Sequence, residues 1–180
     1  GVCLMDTYSH LIRAACFGEF AVGELRHAKG LEKAVSDHSV TIFDRAYYSA
    51  ALLLDWQQSG TERHWLMRAR KPLKYEVIEE LGAGDWLVRL TVSRDALKQR
   101  PDLPTHWHAR LIEYSIDDKP RRYLTSLTDA ERYPANQVAG HYNERWEVEL
   151  GYREIKQNLL KGEQLRSKQP DLVRQELWGT

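Results

Sequence analysis

Four side chains near the carboxy-terminal end carry the clearest chemistry in this sequence: Tyr142, Arg145, Glu149 and Lys156. On a helix advancing about 100° per residue they fall within about 60° of one another. Val148, Tyr152, Ile155 and Leu159 form a second stripe beside them, with the i, i+4, i+7, i+11 spacing that packs a helix on a sheet. The first stripe therefore sits at the margin of a packed face. A phenol, a guanidinium, a carboxylate and an ammonium in one row read as a single acid flanked by phosphate-binding donors. Ordinary helix pairing of Glu149 with Arg145 or Arg153 is the alternative that periodicity leaves open.

A second acid belongs with this row. Val40-Thr41-Ile42-Phe43 reads as a buried strand that stops at Asp44. The carboxyl end of such a strand is where layered α/β sheets place ligand-binding groups. Asp44 could equally cap a turn before Arg45. Two carboxylates on neighbouring core elements are a sufficient protein contribution to a Mg²⁺ site, because that cation takes hard oxygen ligands and keeps waters.

These residues resemble a family. Tyr142-x2-Arg145-x3-Glu149-x6-Lys156 is similar to the Y-R-E-K signature of DDE-type bacterial insertion-sequence transposases, those of the insertion sequence four family. Thr41-Ile42-Phe43-Asp44-Arg45-Ala46-Tyr47-Tyr48 resembles the strand that carries the family's second aspartate. The text from Arg145 to Lys156, and Leu165-Arg166-Ser167-Lys168 through Trp178, is similar as well, so the likeness covers essentially the whole chain.

The resemblance implies an α/β fold with a ribonuclease-H-like catalytic core and an antiparallel β insertion domain. Asp44 and Glu149 would be the second and third acids of the D-D-E triad and the metal ligands. Two Mg²⁺ or Mn²⁺ ions would serve in-line phosphoryl transfer. Tyr142, Arg145 and Lys156 would contact phosphates of the transposon end. The partners implied are double-stranded DNA, both transposon ends and target, and a second copy of the protein in a synaptic homodimer. A bacterial cytoplasmic, nucleoid-associated location follows. The family's first aspartate lies on a central strand between the hairpin at residues 2–17 and the Asp44 strand, and the chain begins after it. The expectation is an incomplete core, truncated at both ends, folding poorly and inactive alone. Asp6 lies on the wrong strand to replace that acid. A hydrolysing ribonuclease-H-like nuclease and a non-catalytic DNA-binding remnant are the rival readings.

The elements needed to position these groups are legible in outline. Residues 2–17 read as two strands around a turn at Tyr8-Ser9-His10, and residues 24–36 as a helix. Ser49 caps a helix running to Gln58, and Trp65-Leu66-Met67 reads as a strand. Further strands follow around the Gly82–Gly84 turn, at His106–Ile116 and at Arg122–Leu127, with a turn at Asp117–Pro120. Helix resumes at Asn136 and runs to about Leu160; Gly162 breaks it and Pro170 opens a last helix. The division expected is core from 1–73, β-rich insertion from 74–130, and 131–180 for the helix with the third acid and a helical tail.

Arg63, Arg68, Arg70, Lys71 and Lys74, interleaved with Trp65 and Tyr75, suit a DNA-facing surface or a solvated strand edge. Arg153, on the signature helix, joins Arg68, Arg70 and Lys71 as a DNA-contact candidate. Trp86 and Trp107 are candidates for stacking on a flipped base or for core packing.

Composition sets the outer bounds. The chain has 180 residues, 26 basic and 26 acidic side chains, and 29% charged residues. Its mean hydropathy is −0.59, and no apolar run approaches the ~18 residues of a membrane span. Six Trp and nine Tyr exclude a disordered tail. Neutral net charge excludes an evenly basic nucleic-acid coat but permits a local basic patch. Cys3 and Cys16 can form no disulfide scaffold, though a single bridge across the hairpin is conceivable.

Overall fold

A computed structural model describes residues 1–18, 23–116 and 119–154. The chain opens with a hairpin, β1 (Val2–Met5) against β2 (Ile12–Cys16), whose turn Asp6 closes by accepting from the Tyr8 and Ser9 amides. Asp6 is therefore a turn-forming residue with its pKa lowered, chiefly by the Ser9 hydrogen bonds. Cys3 faces Ala15 and Cys16 faces Val2 in the ladder, so the two thiols are not opposite one another and no disulfide joins them.

Helix α1 (Glu24–Lys29) precedes β3 (Ser39–Phe43), α2 (Ala50–Gln58) and β4 (Arg63–Arg68). The Ser49 hydroxyl caps α2 by accepting from the Leu52 amide, as the sequence foretells. Four antiparallel strands follow: β5 (Glu76–Gly82), β6 (Asp85–Thr91), β7 (His106–Ile116) and β8 (Lys119–Thr125). The β5–β6 turn uses Gly84 at φ 73°, and a Cβ there would meet the Glu113 carbonyl oxygen at 2.7 Å. A short helix, α3 (Arg94–Gln99), capped by Ser93, lies between β6 and β7. It has six residues and no apolar stripe, so periodicity gives no sign of it.

The strands from 76 to 125 do not stand apart. They extend the β3–β4 pair into one six-stranded sheet of order β3-β4-β8-β7-β6-β5, parallel only between β3 and β4. One face buries Phe43, Trp65, Met67, Leu124 and Trp107 against α1 and α2. The other buries Leu66, Ile112 and Tyr123 beneath α4 (Ala135–His141), which contributes Val138 and Ala139. This alternation is the two-residue period of a sheet covered on both sides. Beyond α4 the chain makes a 3₁₀ turn, Tyr142–Glu144, and continues as α5 (Arg145–Glu154). The single long helix expected from Asn136 is thus interrupted at Tyr142; its continuation past residue 154 lies outside the described residues, as do the expected break at Gly162 and the helix after Pro170.

Two readings need correction. The strand leading to Asp44 is not buried along its length: Val40 is 43% exposed, because β3 is the last strand of the sheet and pairs on one side only. Trp65 is wholly buried and cannot belong to a DNA-facing surface, since it occupies the inward position of an interior strand. Of the two readings open for Trp107, core packing holds: it is 4% exposed, its ring 5.7 Å from that of Trp65, and it is not available to stack on a base. Trp86 is half-buried against the same core.

Asp55 on α2 staples the helical layer. It accepts from Arg100 at 2.9 and 3.2 Å and lies 3.0 Å from the Lys29 ammonium. Its pKa is lowered, first by the Arg100 hydrogen bonds and then by Lys29. The folded carboxyl thus titrates below the unfolded one, so its contribution is complete above about pH 4, the unfolded value, and is lost as pH falls through the folded pKa. Asp55→Asn should remove that part of the acid dependence, leaving a shallower loss of stability in denaturant melts run below about pH 4.

Candidate active site

Asp44 stands one residue past β3, at the carboxyl end of the strand. Its Oδ1 accepts from the Ala46 amide at 2.9 Å, which caps a 3₁₀ turn over Arg45–Tyr47. The capping and site readings are therefore compatible: one oxygen fixes the rotamer, and the other has no protein partner among the described residues.

Beside Asp44 a polar pocket of about 210 Å³ opens, shared by Arg68, Arg121, Tyr142, Asn143 and Arg145. Tyr142 is 9% exposed, with its ring 5.2 Å from that of Tyr123. Burial pushes the Tyr142 phenol up; Arg145 and Arg68 pull it down, and Asp44 pushes it up. Residues about a hundred positions apart in sequence thus converge on one phenol. Arg145 opens α5 and lies over the Trp146 ring at 5.0 Å. The pocket combines one carboxylate with several guanidinium groups, a combination suited to holding phosphate next to a carboxylate-bound cation.

The remaining sequence candidates fall into four groups. Glu149 and Arg153 lie on α5; Arg153 is exposed, and the Glu149 side chain is outside what is described. Lys156 lies outside the described residues. Arg70 stacks on the Tyr48 ring at 4.2 Å, and Lys71 is exposed beyond the end of β4. Arg63, from the basic run, is spent on Asp37 at 2.7 Å and on the Glu32 carbonyl at 3.1 Å, so it is not available to DNA. Among the described residues no group of three or more His, Cys, Asp or Glu converges.

Sequence reasoning missed Arg121, Asn143 and Trp146. For Arg121 a signal existed. Arg121 and Arg122 are adjacent on β8, so they project to opposite faces. Arg122 pairs with Glu113 at 2.6 Å, which leaves Arg121 to face the pocket.

A second, larger cavity of about 640 Å³ separates the free edges of β1 and β3. Val2 and Leu4 line one side and Val40 and Ile42 the other; Ala28 of α1, Leu31 just beyond that helix and Val138 of α4 complete it.

A family model described as a transposase DDE domain matches residues 2–180. The transposase InsG for insertion sequence element IS4 of Escherichia coli strain K12 is 45% identical over 179 residues, 99% of this chain and 40% of that protein. The putative transposase InsZ of the same organism is 37% identical over 78 residues, 43% of this chain and 26% of its own length. The chain therefore spans 40% of the relative that it matches along nearly its whole length. No solved structure matches it. Among the described residues no helix is long and apolar enough to cross a membrane.

Proposed function

Because the chain belongs to the transposase DDE domain family, we propose that it forms part of a DNA transposase that cuts and joins transposon ends by metal-dependent phosphoryl transfer. The observation that carries this reading is the convergence of Asp44 with Tyr142 and Arg145 around one pocket, from opposite ends of the chain. Asp44 and Glu149 are the acids that hold divalent cations, Mg²⁺ or Mn²⁺. Their oxygens are the hard donors that such ions prefer, and the second oxygen of Asp44 remains available. Two bound ions would activate the attacking oxygen and stabilise the leaving one. The protein's own part is positional: Tyr142 and Arg145, with Lys156, hold backbone phosphates so that the scissile bond lies against the acids.

The cavity between β1 and β3 supports a ribonuclease-H-like core. Two unpaired strand edges face it, and apolar side chains from α1 and α4 cover it from both sides. A central strand seated there would complete both ladders and bring a first acid beside Asp44. The 180 residues alone, with that position unfilled, are inactive in this reading. The active species is the intact protein, as a homodimer that holds two DNA ends in the bacterial cytoplasm.

The test is incubation of the intact protein with Mg²⁺, a linear duplex carrying the ends of its own element, and a plasmid target. Joined products are expected. Cut but never joined ends would identify a nuclease, and neither product a remnant. In the same assay Lys156→Ala should weaken end binding and flatten its dependence on log salt by roughly one unit, as one lost phosphate contact does.

A further inference from the structure

The signature residues approach the pocket from α5 and the turn before it; the strands approach it from below. Phe43 pairs with Met67 in the parallel ladder, so Asp44 comes level with Arg68. Arg68 pairs in turn with Tyr123 across the antiparallel ladder. Residues level with one another project to the same face, as does Arg121, two positions before Tyr123. Asp44, Arg68, Tyr123 and Arg121 therefore form a row across three strands beneath Tyr142, and Arg68 and Arg121 both line the pocket.

Charge accounting leaves these two arginines uncommitted among the described residues, a state they share with Arg26, Arg45, Arg70 and Arg94, of which Arg45 also lines the pocket. Arg63, Arg89, Arg100, Arg110, Arg122 and Arg132 each have a carboxylate oxygen at hydrogen-bond distance. Among the described residues, Arg68 and Arg121 are within ion-pair distance of none. The buried Tyr123 phenol lies close enough to both for their charges to pull its pKa down against the larger upward push of burial. Two guanidinium groups on one sheet face, beside a wall of aromatic rings, form a fork for an oxyanion that carries several acceptors.

We propose that Arg121, with Arg68, clamps a DNA backbone phosphate next to Asp44, as a contact supplied by the sheet and separate from the signature helix. This rests on the reading of the chain as a DNA transposase. Arg121 is a binding residue; it fixes the strand's register against the acids and takes no part in bond making. The half-buried setting of Arg121 on a strand makes the contact rigid.

The experiment uses the intact protein and a duplex carrying the terminal sequence of its own element, with uncharged methylphosphonate replacing single phosphates around the cleavage position. Wild type should lose about tenfold in affinity at one such position, the loss of one charge-assisted contact. Arg121→Gln should bind the unmodified duplex about tenfold more weakly, with a salt slope flatter by about one unit, and be indifferent to methylphosphonate at that same position. Arg121→Lys should recover part of the affinity, and melting curves of both variants should match wild type. If Arg121→Gln melts normally and still senses every methylphosphonate as wild type does, the clamp is overturned while the transposase reading stands. If wild type itself prefers its terminal duplex no more than a scrambled one, the underlying reading fails and the clamp falls with it. An Arg121→Gln variant that no longer folds is replaced by Arg68→Gln, which must show the same position-specific indifference.

Discussion

Asparagine in place of Asp44 should leave the intact protein able to bind its terminal DNA but severely impaired in cutting it. The amide keeps the carbonyl oxygen that caps the 3₁₀ turn, so the Ala46 amide retains its acceptor and the local backbone is preserved. The loss is charge. A divalent cation held by few protein ligands depends on anionic oxygens, and an amide oxygen supplies none. Transition-state stabilisation by such an ion is worth several kcal/mol, so single-turnover cleavage should fall by at least about 10³-fold. Affinity for the ends should hold or rise, because one anion leaves a pocket that Arg68, Arg121 and Arg145 line. Glu149→Gln should reproduce the pattern. Cleavage by Asp44→Asn within tenfold of wild type would remove this carboxylate from the chemistry.

The second large effect is structural. Arg110 has no exposed surface, and its guanidinium bonds Asp85 through both Nε and Nη2, the former at 2.7 Å. Nη1 donates to the Leu127 and Tyr133 carbonyls at 3.2 and 2.7 Å. One side chain thus joins β6 and β7 to the loop that leads into α4 and the pocket. Asp85→Ala leaves a buried cation without its counter-ion and should cost about 3–5 kcal/mol. For a cooperative unit of about 150–250 residues that is a fall of roughly 10 °C in its melting transition, read by calorimetry on the intact protein as the transition of the domain that holds Asp85. Asp85→Leu with Arg110→Met should restore most of the stability, since matched apolar replacement of a buried pair is often neutral or better. End binding should not recover fully, because the two carbonyls that anchor the approach to Tyr142 would have lost their donor.

How much of this was legible in sequence depends on which force placed each residue. Periodicity and caps are local, and they gave the hairpin, the Ser49 cap, β3 with Asp44 at its end, and β4. The spacing from Tyr142 through Arg145 and Glu149 to Lys156, with the Asp44 block, carried the family resemblance, but the 3₁₀ turn that begins at Tyr142 after α4 is invisible to an angular count. Tyr142 is instead held by its contact with Tyr123, a residue on the far side of a ladder. Trp65 misled because a basic run surrounds it; burial follows the strand face, and at Trp65 the face outweighs the composition of its neighbours. Arg110 and Arg121 are both arginines on strands, yet one is an internal strut and the other opens on a pocket. Only the pairing of β7 with β6 and of β8 with β4 separates them, and those registers are fixed by contacts long in sequence.

The strand order carries a consequence for descent. β8 returns to the flank of β4, so everything between Arg68 and Lys119 is an outward excursion that ends at β5. Lineages can lengthen or prune that excursion at its distal rim, one hairpin at a time, while Asp44 and the start of α5 stay where they are. Growth or loss at that rim changes the width of the sheet without moving Asp44 or the start of α5.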